Sequence, residues 1–96
     1  MVAAKHLPTA EQPLTVKIYS PAEVFYEGRA KSVSALNADG PFDVLDGHIN
    51  FFSLLVAGTV VVDTGEESRE IPISHGILHV RSDQVTLFVF GVASEE

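Results

Sequence analysis

The sequence predicts an all-β domain, an antiparallel two-sheet sandwich of about 8–10 short strands. Three observations carry this. Apolar and polar residues alternate with a period of two in several short runs, as half-buried strands require. The runs recur at a spacing of roughly ten residues, separated by Gly, Pro, Asn and Asp, the residues that tight turns demand. No stretch carries the period of a long amphipathic helix.

Taken in order, residues 1–13 contain Pro8, Thr9 and Pro13 without a period and read as a flexible arm. From Leu14 the alternation begins: Leu14, Val16 and Ile18 share one face, while Thr15, Lys17 and Tyr19 take the other. Ser20, Pro21 and Ala22 turn the chain, because proline cannot donate to a ladder. A second short strand, Val24 to Tyr26, is expected to end at Gly28. A third runs from about Arg29 to Leu36, with Val33 and Ala35 opposite Ser32 and Ser34. Asn37 to Gly40 is a turn. Phe42 to Leu45 makes a fourth strand, followed by the tight turn Asp46-Gly47. Phe51 to Ala57 fits helix or strand by periodicity alone, and its β-rich neighbours and Gly58 favour strand. Thr59–Asp63 and Arg69–Ser74 form a hairpin across a polar loop, and Ile77–Arg81 pairs with Gln84–Val92 around Ser82-Asp83.

The last strand breaks the alternation. Val85, Leu87 and Val89 form one apolar face; Phe88, Phe90 and Val92 form a second. A strand apolar on both sides is covered on both sides. Either loops or the N-terminal arm cover the second face, or a partner subunit does.

Composition narrows the function classes. The 96 residues make one domain, residues 14–92, with a short tail over 93–96. With 46% hydrophobic and 20% charged residues the chain is globular. A net charge of -7 argues against a nucleic-acid partner and suits either a solvated surface or a basic protein partner. No cysteine is present, which excludes disulfides, thiol nucleophiles and thiolate metal sites. The N-terminus lacks the apolar core of a signal peptide, and the apolar run from Ile49 to Val62 is too short to span a membrane as a helix. A soluble cytoplasmic protein is the expectation.

Candidate chemistry is sparse. His75 and His79 stand four apart, which on a strand separates them by about 13 Å and excludes a shared metal. Asp43, Asp46 and His48 mix oxygen and nitrogen donors, but Asp and Gly are what tight turns use. No catalytic triad, carboxylate pair or phosphate loop is recognisable. The expectation is no enzyme, no metal and no cofactor.

Two blocks carry a family resemblance. Gly40-Pro-Phe-Asp-Val-Leu-Asp-Gly-His48 is similar to a glycine-flanked "G-x-x-G-I-L-P-G-H" block. Ser74-His-Gly-Ile-Leu-His-Val80 with Val85-Thr-Leu87 is similar to a "G-G-hydrophobic-hydrophobic-x-V…V-T-hydrophobic" block. Together with the opening strand and its Ser20-Pro21, Phe25 and Gly28, they run from about Leu14 to Phe90 and resemble the N-terminal β-sandwich of the F-type ATP synthase epsilon subunit. The resemblance implies a non-catalytic rotor subunit at the foot of the central stalk. It would dock on the gamma subunit and on the polar loops of the membrane c-ring, coupling proton or sodium transport to ATP synthesis by rigid contact. It also implies a place on the inner face of the plasma membrane, peripheral and without insertion. Ser20, Gly47, His48, Ile49 and Phe51 would face gamma; Asp39, Gly40, Pro41 and Phe42 would approach the ring.

The chain departs from the family pattern at Asp43, Asp46 and Asn50, and at His75-Gly76. Pro41 replaces the acidic residue expected after the first glycine, which leaves the tip to dock by shape. The family's C-terminal helical hairpin is not in the sequence, so coupling without inhibition by that hairpin is expected. The departures also fit a second reading, a stand-alone protein-interaction module on the same sandwich.

Overall fold

A computed structural model describes residues 12–46 and 50–92 of the chain. Alternating patterns become nine strands among the described residues: β1 (Leu14–Tyr19), β2 (Val24–Ala30), β3 (Ser32–Asn37), β4 (Gly40–Val44), β5 (Phe51–Leu55), β6 (Gly58–Asp63), β7 (Ser68–Ile73), β8 (His75–Arg81) and β9 (Gln84–Phe90). They form two sheets, one of five strands in the order β2-β1-β9-β8-β5 and one of four in the order β4-β3-β6-β7. The expected sandwich is therefore observed. Its pairs are antiparallel with one exception: β1 and β9 run parallel, with Val16 beside Val85 and Ile18 beside Leu87.

The period-two pattern places every other residue in one shared core. Leu14, Val16, Ile18, Leu78, Val80 and Leu87 from the larger sheet meet Val33, Val44, Val60 and Val62 from the smaller, all at most 1% exposed. Branched aliphatic side chains dominate because their stiff χ1 suits a pleated surface. One buried polar side chain crosses between the layers: Ser53 on β5 accepts from the Asn37 amide nitrogen at 3.2 Å.

Several boundaries differ from the sequence expectation. β3 starts at Ser32 and not near Arg29, β4 is Gly40–Val44 and not Phe42–Leu45, β8 starts at His75 and β9 ends at Phe90. β2 does not end at Gly28; it continues to Ala30, and Gly28 sits opposite Val16 in the ladder. The Tyr26 ring lies over Gly28, its hydroxyl 3.4 Å from where a Cβ would stand, an ordinary contact distance, and the ladder runs on through the glycine. β5 ends at Leu55, where the Val56 amide donates to Leu36 O at 3.0 Å and the chain passes into the other sheet.

Of the expected flexible arm, residues 1–11 lie outside the described residues, as does the tail over 93–96. Residues 12 and 13 are tied to the sandwich. The Arg29 guanidinium donates to the carbonyls of Gln12 and Pro13, and the Gln12 side chain donates to Thr64 O at 2.9 Å.

Gly76 is the most crowded of the glycines that lie within a strand. A Cβ there would stand 2.8 Å from Phe88 O and 3.2 Å from a Val89 methyl carbon. Replacing Gly76 with Ala is expected to cost about 1–3 kcal/mol through backbone displacement, and Leu78→Ala about 2–5 kcal/mol through the cavity it leaves. Urea unfolding of each variant, read as a shift in midpoint at constant slope, measures both.

Candidate protein-docking surfaces

Register decides which surface residues become neighbours. On the outer face of the larger sheet, Val24 lies beside Tyr19, Tyr19 beside Phe88, Phe88 beside Ile77 and Ile77 beside Leu54. The result is an apolar row that crosses all five strands. Val24 at its one end is 51% exposed and Leu54 at the other 65%, with Phe52 two residues along β5 at 63%. Tyr19 and Phe88 pack at 4.9 Å between ring centroids, Phe88 and Phe90 at 4.8 Å edge to face. This mutual contact half-buries the rings without covering the face.

Of the second apolar face read from the sequence, Phe88 and Phe90 are part of this surface, whereas Val92 lies beyond β9, past Gly91 at φ 68°, and packs against the core. Val24, Ile77, Phe52 and Leu54 were not expected in the surface. Only β5 carried a signal, since Phe52 and Leu54 are apolar on the face opposite the buried Ser53 and Leu55.

His75 and His79 also point outward from β8, each against an aromatic ring. His75 stacks on Phe90 at 4.8 Å with its Nδ1 3.2 Å from Ser74 Oγ, and His79 meets Phe52 edge-on at 6.1 Å. They face partners of their own rather than a shared ion. Among the described residues no three His, Asp or Glu side chains gather as a metal site, and the Asp43 carboxylate accepts from Ser34 Oγ at 2.6 Å across the β3–β4 ladder.

The ring-facing candidates occupy the β3–β4 hairpin. Asn37 Oδ1 accepts from the Asp39 amide at 2.9 Å, the local bond that shapes an Asx turn, and the turn closes on Gly40 at φ 122°. Asp39 and Pro41 are exposed there. Phe42 is not; it is half-buried against the core with its ring 5.9 Å from that of Phe51.

The gamma-facing candidates are not brought together. Gly47, His48 and Ile49 lie outside the described residues. Phe51 pairs with Val80, level with Val85 and Val16, whereas Ser20 follows Tyr19 at the far end of β1. The two are thus about 13 Å apart along the strands and about 14 Å across them. Ser20 Oγ is spent on its own turn, accepting from the amides of Ala22 at 3.1 Å and Glu23 at 3.3 Å. Asn50, where the family pattern carries proline, accepts from the Ser82 amide at 3.3 Å and so supports a turn whose first residue has φ 56°.

At the β2 edge, Tyr26 donates to Arg29 O at 2.6 Å, and the Arg69 guanidinium lies 5.6 Å from the Tyr26 ring centroid. Burial raises the Tyr26 pKa above its ordinary 10.0; Arg69 pulls it down and Glu67 pushes it up. No helix among the described residues is long and apolar enough to cross a membrane.

The family model for the ATP synthase delta/epsilon chain β-sandwich domain matches residues 13–93. The chain belongs to this family. An ATP synthase epsilon chain of Helicobacter pylori (strain P12) is 33% identical over 78 residues, 81% of this chain and 63% of that one. The epsilon chain of Clostridium novyi (strain NT) is 31% identical over 74 residues, covering 75% and 56%. The chain therefore spans less than two thirds of the length of these relatives. Among solved structures, the Euglena gracilis mitochondrial ATP synthase (OSCP/F1/c-ring, rotational state 1) contains a chain that superposes with TM-score 0.78 at 20% identity, over 92% of this chain and 55% of that one. The central stalk and c-ring structure from Tetrahymena thermophila gives 0.72 at 13% identity, over 90% and 69%. At such identities these two show a shared fold. The delta/epsilon match spans all nine strands, from Leu14 to Phe90.

Two outcomes follow from these surfaces. Leu54→Asp and Phe52→Asp alter exposed positions, so stability is expected to change by no more than about 0.5 kcal/mol, measured by thermal melting. Because folding raises the Tyr26 pKa, the folded state holds that proton more tightly than the unfolded chain. Its contribution is full below pH about 10 and is lost as pH rises through the folded value. A Tyr26→Phe variant should flatten the alkaline side of the stability–pH curve and lower the neutral plateau by about 1 kcal/mol through the lost hydrogen bond.

Proposed function

We propose that the chain is a non-catalytic rotor subunit of an F-type ATP synthase, seated on the gamma subunit and the polar loops of the c-ring. Its task there is to couple ion transport to ATP synthesis as a rigid spacer on the inner side of the membrane. One observation carries this reading: the delta/epsilon family match runs through every strand of the sandwich, not through one motif.

The surfaces support such a role. A partner seated on the outer face of the larger sheet would bury Val24, Tyr19, Phe88, Ile77 and Leu54, and contiguous exposed apolar area of this kind marks interfaces. Ser20 lies at the end of that row, so its turn is the near edge of a gamma contact. Phe51 lies at a separate corner of the sheet, and a single gamma surface touching both it and the Ser20 turn must span the sheet. The Asp39–Pro41 tip is exposed for the ring. Phe42 acts beneath it as a support, through Phe51 and the core, rather than as a contact.

Size-exclusion chromatography of the chain mixed with the gamma subunit of the same organism tests the reading. Co-elution at micromolar concentration is expected, together with a higher melting temperature, since a partner present at one hundred times its Kd adds about 2.7 kcal/mol to the folded state. A homo-oligomer that ignores gamma would instead identify a stand-alone interaction module and overturn the rotor assignment.

A further inference from the structure

Beside the β1–β2 turn lies a cleft of about 780 Å³. It opens where strands β2 and β7, the edges of the two sheets, approach each other without sharing a ladder. Phe25, Ile71, Val89 and Val92 line it with apolar surface. Two exposed carboxylates, Glu23 and Glu70, also line it.

Charge at the cleft is decided by where the cations go. Arg69, which lines the same cleft, is held by its own sandwich: Nη2 donates to Phe25 O at 3.2 Å and the guanidinium lies over the Tyr26 ring. Arg29 is bound at the other end of β2 by the Gln12 and Pro13 carbonyls and Thr15 Oγ1, and Lys17 lies on the sheet's outer face 5.1 Å from the Tyr19 ring centroid. Glu23 and Glu70 take part in no ion pair among the described residues. Arg69 keeps its positive charge in these contacts with neutral groups, but two carboxylates against one guanidinium leave the lining net negative. An apolar cleft of that sign is complementary to an apolar side chain flanked by cations. Its volume falls within the range of about 300–1,000 Å³ typical of sites that hold a discrete ligand. Pro72 lines it as well, and a proline on edge strand β7 removes a backbone donor there. Capture of side chains, rather than addition of a full strand, is the mode this edge allows.

We propose that this cleft docks an extended basic segment of a protein partner. An apolar side chain of the segment enters against Phe25 and Val92, and Lys or Arg residues on either side of it meet Glu23 and Glu70. Phe90 belongs both to this cleft and to the aromatic cluster of the outer sheet face, so a partner lying on that face reaches the cleft without a gap. The inference concerns a site distinct from the apolar row and holds for any basic partner, whether or not it is gamma.

Fluorescence anisotropy with a labelled short synthetic peptide that alternates lysine with leucine and valine tests it on the full chain. Saturable binding is expected, weakening with added salt and falling about threefold to thirtyfold in a Glu23→Gln/Glu70→Gln double variant. Amide chemical-shift changes should centre on Phe25, Ile71 and Val92. Both substitutions are at exposed positions, and an unchanged melting temperature checks that the fold is intact. Absence of binding, equal binding by the double variant, or shifts confined to the outer apolar row would overturn the proposal. Co-elution with gamma is a separate readout and can succeed or fail independently of each of these.

Discussion

The parallel contact between β1 and β9 holds the larger sheet together. These strands lie near opposite ends of the described chain, and β1 is what attaches edge strand β2 to the rest. Without that pairing the sheet divides into a hairpin of β1 and β2 and a three-stranded remnant of β9, β8 and β5. Leu14, Val16 and Ile18, fully buried, would lose Val85 and Leu87 as neighbours. A pairing across so much chain is entropically costly to form, so it belongs late in folding, after local hairpins such as β6–β7 and β8–β9. The hairpin ladders then report local sequence, whereas the antiparallel β3–β6 and β5–β8 pairs and the parallel β1–β9 pair report the topology.

That closure also sets what the surface offers. Once β9 lies between β1 and β8, Phe88 falls level with both Tyr19 and Ile77, and residues from five separate strands become one apolar row. The smaller sheet and the turns hold most of the polar structure, including the Asn37–Asp39 turn and the Ser34–Asp43 pair. One side of the sandwich is thus suited to a broad apolar contact, and the β3–β4 tip presents a narrow polar one. Between them, at the β2–β7 corner, lies the acidic cleft.

Strand positions were legible in the sequence because the core demands strict alternation, and each inward set, such as Val33 and Ala35 or Leu78 and Val80, is visible as a period of two. The extent of β2 was not, because Gly28 reads locally as a stop. In the structure the ladder with β1 runs straight through it, with the Tyr26 ring lying over the glycine. The parallel pairing left no local trace, and neither did the apolar row, since lateral register is a property of strands far apart in sequence. Asn50 looked like a mere departure from the family pattern. Its side chain accepts the amide of Ser82 across a gap of 32 positions, a role that spacing alone does not reveal. Of the site residues, the exposed Asp39 and Pro41 were foreseeable from turn chemistry. The burial of Phe42 against Phe51 was not, because both belong to strands whose inward phase is set by their neighbours.

The row from Val24 to Leu54 crosses the strands at one level, and so it runs along the hydrogen-bond direction of the sheet rather than along any single strand. A body resting on it presses on every strand of the layer at once. Load delivered there is spread over five strands at once, whereas the same load on a lone edge strand would fall on a single ladder. The side chains that make this surface adhesive also make the sheet beneath it behave as a plate.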